Sequence, residues 1–178
     1  MAKFWIIISM LVALAGCATR EIPYADLRAR YGLPSSHTFE PEPGLRVHYT
    51  DEGKTGGRTL ILIHGLAASV HAWRPWVQRL SADYRIVAID LPGHGLTEAP
   101  PGYRASLDRN AALVDALAKE VGAQRFVLAG NSMGGAVSLA YAMAHADKLE
   151  GLVLVDAAGW PGADGKKGGP PGFVGLFN

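Results

Sequence analysis

The sequence predicts an α/β domain with a mostly parallel sheet and helices on both of its faces. Two observations carry this prediction. Short apolar runs alternate along the chain with segments of helical periodicity, which is the pattern of βαβ units. The chain also has 178 residues, of which 49% are hydrophobic, so it is long enough to bury one core.

Each predicted element has its own signal in the sequence. The strands are short apolar runs, at 45–50, 59–63, 84–89, 125–129 and 152–155. The helices have apolar residues at spacings of three and four, at 73–80, 107–121 and 133–145. Ser106 is the expected N-cap of the second helix, and Gly122 is its expected stop. We therefore expect residues 44–158 to form the core, after a lead segment at 17–43.

The composition excludes several classes of protein. The chain has 17 Lys and Arg against 16 Asp and Glu, and no basic stripe of the kind that binds nucleic acid. High apolar content with low net charge argues against disorder. The single cysteine excludes an internal disulfide and a Cys-rich zinc site. No motif requires a metal or an organic cofactor, so we expect neither.

The N-terminus has the pattern of a secretory signal. Lys3 precedes an apolar run at 4–14, which as a helix would rise only about 16 Å, short of the hydrocarbon core of a membrane. The run ends in Leu-Ala-Gly-Cys17, which resembles the lipobox of bacterial lipoproteins. We expect residues 1–16 to be a signal peptide and Cys17 to be lipidated. An ordinary secretory signal and an uncleaved anchor are the alternatives.

That resemblance also predicts a location and a membrane partner. Two or more acyl chains hold a protein stably on a membrane. Ala18 stands where an Asp commonly marks retention in the inner membrane of Gram-negative lipoproteins. The expected location is the bacterial cell envelope, on the outer membrane facing the periplasm.

The C-terminal residues 159–178 have a different composition from the core. They are rich in Gly and Pro, which cannot continue a helix or a central strand, and they finish on the apolar run 173–177. We expect a linker into a cap that the chain does not contain, and therefore a C-terminally truncated, incomplete fold that lacks its cap and its last strands.

The strongest chemical signal lies between the strand at 125–129 and the helix at 133–145. Gly130-Asn131-Ser132-Met133-Gly134 matches G-x-S-x-G in the strand–turn–helix context that this motif requires. The tight turn needs small residues two before and two after Ser132 and presents its hydroxyl above the sheet. We expect Ser132 to be a nucleophile; the alternative is a close-packed turn with an incidental serine.

Two further loops follow predicted strands. The loop His64-Gly65-Leu66 can place the amide of Leu66 beside that of Met133, and two such donors form an oxyanion hole. His64 is expected to shape this loop through hydrogen bonds. The loop Asp90-Leu91-Pro92-Gly93-His94-Gly95 bends near the ligand crevice, and its Asp90 and His94 are expected to fix the loop rather than act as acid and base.

The three loops, in this order, resemble the α/β-hydrolase superfamily, over about residues 40–160. Within it the chain resembles meta-cleavage-product hydrolases and related carboxylesterases. The resemblance implies hydrolysis of an ester, a related acyl bond or an activated carbon–carbon bond in a small-molecule substrate. Dehalogenases and epoxide hydrolases of this fold carry Asp where Ser132 stands, which disfavours those reactions.

The family activates its serine with a histidine that is oriented by Asp or Glu, in chain order Ser, acid, His. The last of the six histidines is His145, thirteen residues after Ser132 on the same helix and therefore about 19 Å away. Asp156 follows the last predicted strand, where some members place the acid. Three of the earlier histidines are expected on the surface: His37, His48 and His71.

The 178-residue chain is therefore expected to lack its general base and to be inactive or nearly so. Its parent protein is expected to be a serine hydrolase anchored by lipid. Two alternatives stay open, a lipoprotein that keeps the fold as a non-catalytic binding or scaffold module, and the product of a broken gene.

Overall fold

A computed structural model describes residues 22–159. The predicted signal peptide, Cys17 and residues 160–178 of the predicted linker lie outside this range. Within it, six strands form one sheet in the order β1-β2-β4-β3-β5-β6. They are β1 (Ser36–Glu42), β2 (Leu45–Gly53), β3 (Arg58–Ile63), β4 (Tyr84–Ile89), β5 (Phe126–Asn131) and β6 (Leu149–Val155). The strands β3 to β6 pair in parallel, while β2 pairs antiparallel with β1 and β4.

Helices cover both faces of the sheet, as predicted. They are α1 (Tyr24–Tyr31), a 3₁₀ turn (Val70–Trp73), α2 (Arg74–Leu80), α3 (Leu107–Glu120), α4 (Met133–Ala144) and a second 3₁₀ turn (Ala146–Lys148). Side chains alternate along β3, so that Ile61 and Ile63 pack with α3 and α4 while Leu60 and Leu62 pack with α2. Between residues 22 and 159, no helix has both the length and the apolar character needed to cross a membrane.

The core elements lie close to their predicted positions. The strand β4 has the predicted bounds, and Ser106 caps α3 by accepting a hydrogen bond from the Arg109 amide at 3.2 Å. Two predicted strand boundaries were wrong by three residues. The strand β2 continues through 51–53, where it pairs with residues 85–87 of β4, and the Asp51 carboxylate accepts a side-chain hydrogen bond of 3.0 Å from Arg85. The strand β6 begins at Leu149, whereas its predicted start is residue 152. The predicted helix at 73–80 is confirmed to within one residue, because α2 covers 74–80, with Pro75 in its first turn.

The lead segment contains two elements that the sequence pattern does not reveal. The helix α1 has no buried residue, so it has no apolar periodicity to recognise. Polar contacts dock it instead, from Arg28 to Glu98 and from the Tyr24 hydroxyl to the Thr97 carbonyl. The strand β1 is an edge strand that contains Pro41, a composition that weakens any strand signal.

Candidate active site

Backbone strain concentrates at the carboxyl edge of the parallel strands. Within the described range, three residues other than glycine have positive φ: Ala67 at 55°, Ser132 at 50° and Asp156 at 47°. They follow β3, β5 and β6 respectively. Such strain costs about 1–3 kcal/mol at each residue and clusters where a protein holds groups in place for function. The loops that follow β3, β5 and β6 therefore belong to one candidate site.

The turn that carries Ser132 is as tight as its sequence predicts. A Cβ atom on Gly130 would lie 2.2 Å from the carbonyl oxygen of Gly134, and one on Gly134 would lie 2.2 Å from that of Ile63. Both contacts are with backbone atoms, which cannot move aside as a flexible side chain can. Glycine is therefore required at both positions, and Ser132 is held between β5 and α4 with φ 50° and ψ −112°.

The loop after β3 passes directly against the turn. A Cβ atom on Gly65 would lie 3.4 Å from Cβ of Ser132 and 2.8 Å from Oδ1 of Asn131. Among the described residues, the amides of Leu66 and Met133 donate to no carbonyl or side chain. The structure thus brings the two predicted oxyanion donors next to the Ser132 turn with their N–H groups available.

His64 fixes the direction of one of those donors. Its ring is fully buried; Nδ1 donates to the Gly65 carbonyl at 2.7 Å, and Nε2 accepts from the Leu91 amide at 3.0 Å. The Gly65 carbonyl and the Leu66 N–H belong to the same planar peptide group. Holding that carbonyl therefore also orients the Leu66 N–H. His64 has the loop-shaping role predicted for it, and both of its ring nitrogens are occupied.

Burial lowers the pKa of His64, although its hydrogen bond to Gly65 and the charge of Asp90 oppose that shift. In the unfolded chain this histidine titrates near its ordinary value, so below about pH 6.5 the unfolded chain binds more protons than the folded chain. We therefore expect the free energy of unfolding to fall as the pH is lowered through about 6.5, with a slope of up to about 1.4 kcal/mol per pH unit. Urea unfolding at several pH values measures this slope. The His64→Gln variant should lose most of it, and an unchanged slope in that variant would contradict the assignment.

Asp90 ties three parts of the fold together. Its carboxylate accepts hydrogen bonds from the amides of Val70 and Leu96, at 2.8 and 2.9 Å, and from Nδ1 of His48 at 2.8 Å. Burial raises the pKa of Asp90, but the bonds from His48, Leu96 and Val70 together lower it below its usual value. The carboxylate is therefore ionised and structural, as predicted. His94 closes the same loop with Nδ1 3.3 Å from the Pro92 carbonyl.

The prediction that His48 lies on the surface was wrong. Its side chain is 4% exposed and bridges Asp90 to Ser36, whose Oγ lies 2.8 Å from His48 Nε2. The pattern of β2 does not reveal this, because the partner that satisfies the ring is 42 residues further along the chain. His37 and His71 are exposed, as predicted.

Trp73 and Trp76 pack against each other. Trp73 is 4% exposed and lies in the core between the sheet and α2. The two rings meet edge to face with centroids 4.9 Å apart.

Among the described residues, no base and no carboxylate is hydrogen-bonded to the Ser132 side chain. Within residues 22–159, the hydroxyl of Ser132 has no hydrogen-bond partner, and His145 lies at the far end of α4. Asp156 is exposed, but backbone hydrogen bonds connect its turn to Ser132. The Ser132 amide donates to the Val155 carbonyl, and the Ser132 carbonyl accepts from the Ala158 amide, both at 2.9 Å. In the same range, no three His, Cys, Asp or Glu side chains are grouped to hold a metal ion.

Comparison with known proteins places this geometry in a family. The α/β-hydrolase fold family model matches residues 58–167. Haloalkane dehalogenase 2 of Mycobacterium bovis is 33% identical over 126 residues, which cover 71% of this chain and 43% of that protein. The 2-hydroxy-6-oxononadienedioate/2-hydroxy-6-oxononatrienedioate hydrolase of Paraburkholderia phymatum is 33% identical over 134 residues, with coverages of 73% and 43%.

A solved structure extends the likeness beyond the matched core. The crystal structure of a bacterial membrane phospholipase A superposes with a TM-score of 0.68 at 30% identity, covering 89% of this chain and 53% of that one. The chain spans less than half the length of the two curated relatives described above.

Proposed function

This chain belongs to the α/β-hydrolase family, and on that premise we propose that it carries the nucleophile and the oxyanion hole of a serine hydrolase. The bond cleaved is an ester, a related acyl bond or an activated carbon–carbon bond. One observation carries the proposal: the strained Ser132 lies against a loop whose Leu66 amide is free, and its own neighbour Met133 supplies a second free amide.

The proposed reaction proceeds through an acyl-enzyme. The Ser132 oxygen attacks the carbonyl carbon of the substrate, and the negative charge that develops on the carbonyl oxygen is stabilised by the amides of Leu66 and Met133. Each preorganised donor of this kind contributes about 10²–10³-fold to the rate. Collapse of the tetrahedral intermediate expels the leaving group, and water then hydrolyses the acyl-serine.

The likeness to a haloalkane dehalogenase does not favour dehalogenation here. Attack on a haloalkane by the Ser132 oxygen would displace halide and leave an ether. An ether has no carbonyl carbon for water to attack, so the enzyme would be alkylated and would not turn over. A serine at this position therefore favours substrates that already contain an acyl group.

We infer that no histidine between residues 22 and 159 is in place to act as the general base of this reaction. His145 is about 19 Å from Ser132 along α4, and the ring nitrogens of His64 are both engaged. Asp156 is our candidate for the acid that would orient a histidine. Because a general base contributes about 10²–10⁴-fold, we expect the 178-residue chain to hydrolyse p-nitrophenyl acetate no faster than its Ser132→Ala variant. Turnover that depends on Ser132 would contradict this assignment.

The nucleophile itself can be tested on the same chain with a fluorophosphonate probe. We expect a slow adduct on Ser132, located by peptide mapping, and a faster one when imidazole is added as a base from solution. Ser138→Ala is the matched control, because Ser138 lies on the same helix and its hydroxyl bonds to the Gly134 carbonyl. No adduct on Ser132, with or without imidazole, would refute the proposal.

We further propose that Cys17 anchors the protein by lipid to the bacterial envelope, on the outer membrane facing the periplasm, where lipid esters are abundant. The lipobox-like Leu-Ala-Gly-Cys17 and the likeness to a membrane phospholipase A support this. We expect labelled palmitate to be incorporated in bacteria that express the chain and to be lost in Cys17→Ser. Incorporation that survives Cys17→Ser would contradict the assignment.

A further inference from the structure

A serine other than Ser132 is hydrogen-bonded to a histidine, and that histidine is hydrogen-bonded to an aspartate. The Ser36 oxygen lies 2.8 Å from Nε2 of His48, and Nδ1 of the same ring lies 2.8 Å from Oδ2 of Asp90. Ser36 is on β1, four strand positions from β5 in the sheet, which is about 19 Å. This chain of three groups is therefore separate from the Ser132 turn.

The direction of each hydrogen bond follows from the ionised state of Asp90. A carboxylate accepts only, so Nδ1 of His48 carries the proton that it donates to Asp90. Nε2 is then the acceptor of the neutral ring, and the Ser36 hydroxyl donates its proton to it. The Leu33 amide donates to Ser36 Oγ at 2.9 Å and holds the hydroxyl in this orientation. A serine whose proton points at a carboxylate-bound imidazole has the arrangement of an activated nucleophile.

Ser36 also opens onto space that a ligand can enter. It is half-buried and lines a cavity of about 470 Å³, whose wall includes Arg28, Thr38 and Leu96. Residue 35 accepts a bond from the Asp51 amide, so alternation along β1 turns the Thr38 amide toward the free edge of the sheet. That amide and the Arg28 guanidinium, which also pairs with Glu98, are donors at this cavity that can stabilise an anionic intermediate.

We propose that Ser36 is a second acylatable serine, with His48 as its general base and Asp90 as the group that orients the base. Its substrates would be activated acyl donors such as aryl esters. The Ser36 oxygen bonds to the carbonyl carbon while its proton passes to His48 Nε2. The bond to the aryloxy group then breaks, and that group leaves with the proton. This site goes beyond the proposed function and does not depend on Ser132.

A fluorophosphonate probe tests this in the full chain carrying Ser132→Ala. Here the Ser36 oxygen bonds to phosphorus, fluoride leaves, and the proton passes to His48. We expect an adduct that peptide fragmentation locates on Ser36. It should be lost in Ser36→Ala, retained in the neighbouring control Ser35→Ala, and formed about 10²–10⁴-fold more slowly in His48→Gln.

If His48→Gln does not fold, a second measurement tests the same proposal. Labelling of Ser36 in the Ser132→Ala chain should be fast in buffer and fall to the rate of an ordinary serine in urea, because the activation requires the folded contacts. Absence of a Ser36 adduct in the folded chain, or equal rates in buffer and in urea, would overturn the proposal. Either result would mean that the three groups only attach β1 to the sheet.

Discussion

Replacing Gly134 by alanine is expected to destabilise the fold by about 3 kcal/mol or more, enough to unfold a marginally stable domain. The new methyl group would lie 2.2 Å from the carbonyl oxygen of Ile63 and 2.6 Å from that of His64. Relief of that overlap requires α4 to move away from β3, and this opens the packing between helix and sheet.

Urea unfolding of Gly134→Ala measures the effect, with Gly151→Ala as the matched control. A Cβ on Gly151 would meet Val127 side-chain atoms at 3.7 and 3.8 Å, which is ordinary van der Waals contact. We expect this control to keep its stability to within about 1 kcal/mol. If Gly134→Ala were as stable as Gly151→Ala, helix and sheet would not be in the close contact described above.

Replacing Asp90 by asparagine is expected to cost about 3–5 kcal/mol. The carboxylate accepts three hydrogen bonds from groups that are buried with it, from the His48 ring and the amides of Val70 and Leu96. An asparagine amide presents one oxygen and one NH₂ group, and the NH₂ group would face donors. Each buried donor left without an acceptor costs about 1–3 kcal/mol.

The matched control for this variant is Asp83→Asn. Asp83 is exposed and lies immediately before β4, whereas Asp90 follows it. Its replacement should change the free energy of unfolding by no more than about 0.5 kcal/mol. A loss below about 1 kcal/mol in Asp90→Asn would show that Asp90 does not hold these loops together.

Much of the fold can be predicted because burial on both faces of a sheet leaves a continuous apolar run. The strand β4 is such a run, and its bounds were predicted to the residue. Edge elements lack that signal. The strand β1 and the helix α1 bury few side chains, so their positions depend on contacts with residues far along the chain, such as Arg28 with Glu98.

The candidate site likewise contains features that the sequence predicts and features that it does not. The glycines around Ser132 could be predicted, because the turn itself demands small residues two positions either side of the serine. The strain at Ala67 and the burial of His48 could not. Ala67 takes a positive φ although it is not glycine, and the burial of His48 depends on Ser36 and Asp90, which satisfy its ring.

The most direct test of the proposed nucleophile and oxyanion hole is a crystal structure of the chain after reaction with a fluorophosphonate in the presence of imidazole. We expect a phosphorus atom bonded to Ser132 Oγ, with one phosphonyl oxygen about 2.7–3.1 Å from the amide nitrogens of both Leu66 and Met133. A phosphonyl oxygen directed into solvent, away from those two amides, would contradict it.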